Sequence, residues 1–139
     1  MTPNPNQAAP TILNPRMLND PTSNGYSAIV AAPAGCRLAF VSGLGGHDEQ
    51  GGLSSDFTDQ VRQAYANLAA ALEAIDATPA HVVKLTVFVV DHDMSKLGPL
   101  TEAVTAMFGK HLPAQTLVPV PKLAIDPMLF EVEAVVALR

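Results

Sequence analysis

The run Val82-Val83-Lys84-Leu85-Thr86-Val87-Phe88-Val89-Val90 constrains the fold of this chain more than any other segment. β-Branched and aromatic side chains suit a pleated strand, and a nearly unbroken apolar run suits one covered on both sides. Residues 81–91 are therefore expected to form a central strand, apolar on both faces. Such a strand needs covers, and the rest of the chain offers two helices. From Asp56 to about Asp76, Phe57, Val61, Ala64, Tyr65, Leu68, Leu72 and Ile75 recur at steps of three and four as one apolar stripe. Ser55 or Asp56 caps its start, and Asp59 adds negative charge at the positive end. Gly98-Pro99 opens the second helix, Leu100, Val104, Met107 and Phe108 give it a stripe, and Gly109 ends it.

Tyr26–Ala31 and Arg37–Ser42 are rich in strand-forming residues and are separated by Ala32-Pro33-Ala34-Gly35, which predicts a hairpin. Gln115–Val120 and Met128–Leu138 read as the last two strands. The order of strand, strand, helix, strand, helix, strand, strand predicts an α+β fold, a mixed sheet with two helices packed on one face. The other face is left without a cover. Charged residues make up only 15% of the 139 positions, against about 25% in ordinary soluble domains. Self-association is expected to cover the bare face.

At this length the chain is expected to be one domain, residues 23–139, preceded by a Pro/Asn-rich arm at residues 1–22. Five prolines in the arm disfavour regular structure, although Thr11-Ile12-Leu13 suits a short edge strand. The net charge is −5, and no two of the eight Lys and Arg residues are adjacent. Phosphate backbones are bound through clustered cations, so neither nucleic acid nor anionic membrane is an expected partner. The single cysteine, Cys36, excludes an internal disulfide and fits a reducing compartment. The N-terminus has no basic start and no apolar run, and a cytoplasmic protein is expected.

Gly43-Leu44-Gly45-Gly46 follows a strand but leads into His47-Asp48-Glu49, which would repel a phosphate, so a flexible loop bordering a pocket is expected. Neither His47-Asp48-Glu49 nor Asp91-His92-Asp93 has metal-ligand spacing; both are read as polar surface turns, and no metal is expected. His81 and His111 are expected in solvent. Cys36 lacks a partnering base and reads as structural. Glu131 and Glu133 share one face of the last strand, while Phe130, Val132, Ala134 and Val136 share the other. They are either a water-handling acid/base pair or the wet edge of a sheet.

Val83-Lys84-Leu85-Thr86-Val87-Phe88-Val89-Val90-Asp91, Leu112-Pro113-Ala114 and Phe130-Glu131-Val132-Glu133-Ala134 together resemble the RidA (YjgF) family, with its VK-x-TVFV-x-D, P-A-R and I-E-I-E-A segments. Gly25-Tyr26-Ser27 resembles the family's G-P-Y-S motif and Ser42-Gly43 its S-G-Q. The likeness covers residues 23–138. It implies a chorismate-mutase-like α+β fold that forms a homotrimer with small-molecule clefts between subunits. It also implies cofactor-independent hydrolysis of 2-enamines and 2-imines to 2-oxo acids and ammonia. By the same resemblance Glu131 positions or activates water as the catalytic residue, and Tyr26 and Ser42 line the substrate cleft.

The family's carboxylate-gripping arginine does not carry over, because Gln115 stands in its place. Leu117 occupies a position often Cys, Leu44 replaces Gln, and Gly25 replaces Pro. A guanidinium makes two charge-assisted bonds to a carboxylate, and glutamine brings no countercharge. Losing that pair costs about 2–4 kcal/mol in anion binding. The expectation is a RidA-like trimer holding a small metabolite, possessing hydrolase or deaminase chemistry on an enamine- or imine-like substrate other than the standard 2-imino acids, with Gln115 as a substrate-binding residue. The alternative is a non-catalytic small-molecule-binding trimer. An endoribonuclease or translation-inhibitor role ranks third, against the acidic charge.

Overall fold

The computed structural model describes residues 9–138; residues 1–8 of the expected arm and residue 139 lie outside the described residues. The elements are β1 (Thr11–Leu13), β2 (Ile29–Ala31), β3 (Arg37–Leu44), α1 (Phe57–Ala74), β4 (Val82–Val90), α2 (Leu97–Phe108), β5 (Ala114–Val120) and β6 (Phe130–Leu138). The main sheet has the order β3-β6-β4-β5. β6 runs antiparallel to both β3 and β4, while β4 and β5 are parallel, joined by α2 as the crossover. The expected α+β architecture is present, with both helices on one face.

Alternation sorts each strand's side chains. Leu85, Val87 and Val89 of β4 and Phe130, Val132 and Val136 of β6 are at most 1% exposed. They meet Val61, Ala64, Leu68 and Leu72 of α1 and Leu100, Val104 and Phe108 of α2 in one core. α1 starts where the Asp56 carboxylate accepts from the Asp59 amide at 3.0 Å. It ends where Asp76, at a φ of 54°, turns the chain out. The second face of β4 differs from the expectation of apolar residues throughout: Lys84, Thr86 and Phe88 are half-buried, and the Lys84 ammonium donates to the Thr116 hydroxyl at 2.8 Å. Leu38 (51% exposed) and Phe40 (74% exposed) lie on this same open face.

The predicted hairpin does not form. β2 pairs antiparallel with β1, the edge strand read from Thr11-Ile12-Leu13, and β3 pairs with β6. The cause is Ser27, which is 2% exposed; its hydroxyl donates to the Leu112 carbonyl (2.6 Å) and its amide to the Pro113 carbonyl (2.9 Å). These bonds pin the segment beside β5, at the edge of the sheet opposite β3. Residues 32–36 then cross to begin β3.

The glycine-rich loop is tied down rather than flexible. Gln60, fully buried on α1, donates to the Ser54 and Pro127 carbonyls and accepts from the Leu129 amide. Asn67 donates to the carbonyls of Gly45 and His47, and Asp48 accepts from the amides of Gln50 and Gly52. His81 is also not in solvent. It is buried in a 3-10 turn, with its Nδ1 accepting from the Thr78 amide at 2.9 Å.

Candidate functional site

Tyr26 follows Gly25, which has a φ of 84° and lies so close to α2 that a Cβ there would fall 2.5 Å from Val104 Cγ1. That close approach delivers Tyr26 into a cavity of about 390 Å³ between α2 and β5, lined also by Gln115, Thr101 and Leu117. Gln115 is the second residue of β5, in register with core-facing Leu85. Its side-chain oxygen is buried and has no hydrogen-bond partner.

Glu131 and Ser42 belong to a different part of the surface. Glu131 pairs in register with Phe88 on the open face of the sheet. The β3–β6 register slips between Val41 and Leu44, so Ser42 and Gly43 together oppose Glu133 as a bulge. The Glu131 carboxylate lies over Gly43, where a Cβ would fall 1.7 Å from Oε1. Ser42 lines a second cavity, of about 240 Å³, with Phe40, Lys84, Thr86 and Glu133. The Glu131/Glu133 face is thus an open sheet surface with a carboxylate seated against a bulged glycine.

The structure brings Tyr26 together with Gln115, and Ser42 with the Glu131–Glu133 face. It does not bring the two groups together within one protomer. β3 and β5 are opposite edges of the sheet, about 14 Å apart at ordinary strand spacing. Gln115 also lies on the helix side of the sheet, whereas Glu131 lies on the open side.

One cavity residue escaped the sequence reading. His92, expected in a polar surface turn, is among the residues lining the Tyr26–Gln115 cavity, and its Nδ1 is buried with no hydrogen-bond partner. Asp91, at a φ of 50°, ends β4 and turns the chain back toward α2. The one sequence signal was a histidine immediately after that turn. Asp93 points away into its own cap, where hydrogen bonds from the Ser95 hydroxyl and amide hold its carboxyl below the usual range. Among the described residues, no three His, Cys, Asp or Glu side chains converge as a metal site. Among them, no helix is long and apolar enough to cross a membrane. Cys36 is half-buried and free.

The family described as Endoribonuclease L-PSP matches residues 17–138. The chain belongs to this, the RidA (YjgF) family. The RutC family protein PH0854 of Pyrococcus horikoshii is 35% identical over 83 residues, 60% of this chain and 64% of that protein, so the match spans less than two thirds of that relative's length. The RutC family protein UK114 of Drosophila melanogaster is 33% identical over 105 residues, 71% of each chain. Among solved structures, the Rid-family protein YyfB of Yersinia pestis, of unknown function, superposes with a TM-score of 0.89 at 28% identity, covering 94% of this chain and all of that one. Escherichia coli TdcF with bound serine gives a TM-score of 0.66 at 25% identity, covering 77% of this chain and 84% of that one.

Proposed function

We propose that this RidA-family chain, with residues 23–139 as its domain and 1–22 as an arm, forms a homotrimer that binds a small metabolite in clefts between subunits. The observation that carries this reading is the separation of the four site residues on one protomer. Tyr26 and Gln115 of one subunit face a cavity on the helix side, while Ser42 and Glu131 lie on the open face. A cleft shared by neighbours unites them. Docking of the open face on another subunit also covers Leu38 and Phe40, which otherwise hold 51% and 74% of their surface in water.

In that cleft the Glu131 carboxylate takes a proton from water as the oxygen bonds to an imine carbon. Glu131 hands that proton to the imine nitrogen, and as the carbon–nitrogen bond of the resulting aminol breaks the hydroxyl proton follows to the nitrogen, which leaves as ammonia, so the imine and one water give the carbonyl product. The substrate is neutral where Gln115 meets it. Without a guanidinium, a carboxylate at that point binds about 30- to 1,000-fold more weakly. The same substitution favours a second reading, a non-catalytic trimer that holds the metabolite without turning it over. The family's endoribonuclease description finds no support in the scattered cations and the net charge of −5.

The test is a deaminase assay on 2-imino acids generated in place by an amino-acid oxidase, comparing wild type, Gln115→Arg and Glu131→Gln. A poor wild type rescued by Gln115→Arg and abolished by Glu131→Gln supports an intact cleft lacking its carboxylate anchor. Rapid wild-type turnover overturns the reading of Gln115. Turnover of neutral imines that Glu131→Gln leaves unchanged overturns the role of Glu131.

A further inference from the structure

Lys84 and Glu133 both border the open-face cavity of about 240 Å³, with Glu133 exposed and Lys84 half-buried. Across the β4–β6 pair Lys84 opposes Val135 and Thr86 opposes Glu133. The two charged residues are therefore diagonal neighbours, about 7–8 Å apart at the backbone and within reach of each other. They do not pair. The Lys84 ammonium instead donates to the Thr116 hydroxyl at 2.8 Å, on the β5 side of β4. Among the described residues the single ion pair is Lys122–Asp126, so neither Lys84 nor Glu133 has a countercharge on its own chain. The same face carries the apolar side chains of Leu38, Phe40, Phe88 and Val135.

Covering this face takes both charges out of water, which is costly for each unless an opposite charge meets it. In a closed ring of three, every contact is head-to-tail and joins two different patches of the subunit. Thr116, which holds Lys84, follows Gln115 on β5, and Glu133 stands two residues from Glu131 on β6. A contact that carries Gln115 of one subunit to Glu131 of the next therefore carries Lys84 toward Glu133 as well.

We propose that Lys84 of each subunit forms an ion pair with Glu133 of the next, and that the open face recognises a second copy of this chain through that pair. The proposal rests on the trimer and shared cleft given above and names the charges that set their register. It also divides the two glutamates of β6: Glu131 serves the ligand and Glu133 the neighbouring subunit.

Sedimentation equilibrium of the full-length protein tests this, comparing wild type, Lys84→Glu, Glu133→Lys and the double variant. Each single reversal sets like charges together at every contact and is expected to raise the concentration for half-assembly about 30-fold or more. The double variant restores opposite charges and is expected to assemble within about tenfold of wild type. Lys84→Gln and Glu133→Gln, which only remove a charge, guard against a folding defect in the reversals and are each expected to weaken assembly by about tenfold. An equimolar mixture of the two single reversals separates a pair between subunits from one within a chain. Mixed rings hold matched charges at two of their three contacts and unmixed rings at none, so the mixture is expected to assemble where each variant alone is monomeric. Reversals and charge removals that all assemble like wild type overturn the proposal. So does a mixture, or a double variant, no better assembled than the single reversals. A trimeric wild type indifferent to the substitutions removes this pair alone, whereas a wild type that is monomeric throughout removes the trimer with it.

Discussion

Gly43 and Glu131 meet across the β3–β6 pair with no room for a methyl group between them. A Cβ on Gly43 would fall 1.7 Å from Glu131 Oε1 and 2.6 Å from Cδ. The bulge at Ser42-Gly43 thus seats the carboxylate against the backbone of the neighbouring strand.

Gly43→Ala is therefore expected to damage function more than stability. The clashing atoms are the end of a flexible side chain that swings aside, so the stability loss stays within about 1 kcal/mol. Ligand affinity or turnover that depends on Glu131 is expected to fall about tenfold or more. Parallel unfolding and binding curves check this, and equal losses in both would show that the carboxylate is not held for use.

Gly46→Ala is expected to do the reverse. Its Cβ would fall 2.5 Å from the Gln60 carbonyl oxygen and 2.7 Å from the Gln60 Cα. Helix backbone cannot rotate away, so α1 and the loop must separate, at about 1–3 kcal/mol. Denaturant unfolding reads this directly.

Leu68 is fully buried at the centre of the α1 stripe. Leu68→Ala leaves a cavity under the sheet and is expected to destabilise by about 2–5 kcal/mol. An unchanged unfolding midpoint would mean that this face of α1 does not carry the core.

Burial pushes the Tyr65 phenol well above its ordinary pKa of 10.0. The folded chain keeps that proton where the unfolded chain loses it, so stability is unaffected below about pH 10 and falls as pH rises further. The slope from this group reaches about 1.4 kcal/mol per pH unit. Urea unfolding at pH 9 and pH 11 is expected to show the loss in wild type and a smaller one in Tyr65→Phe.

The proposed trimer predicts that Phe40→Asp, on the open face, shifts sedimentation at micromolar concentration from trimer toward monomer. Metabolite binding is expected to weaken with it. A variant that sediments unchanged would place the subunit contact elsewhere.

Both helices and the β4 run were legible because hydrophobic period reports burial directly: Val61, Leu68 and Leu72 repeat at helical spacing and Leu85, Val87 and Val89 at strand spacing. The hairpin was misread because the partner of β2 was decided by Ser27 bonding to Leu112, 85 positions away, and to the residue after it, which no local pattern carries. The identities of Tyr26, Ser42, Gln115 and Glu131 came from family resemblance, and their division between two faces of the sheet came from strand order. His92 stayed hidden because its neighbours are two exposed aspartates, and the burial of its Nδ1 depends on how α2 folds back.

The placement of Gln115 and Glu131 on different faces of one chain has a genetic consequence in the proposed trimer. A subunit damaged at Gln115 still lends a sound Glu131 to one neighbour, and a subunit damaged at Glu131 still lends a sound Gln115 to the other. Two inactive alleles expressed together would then complement, because every mixed ring contains one cleft assembled from the undamaged half of each.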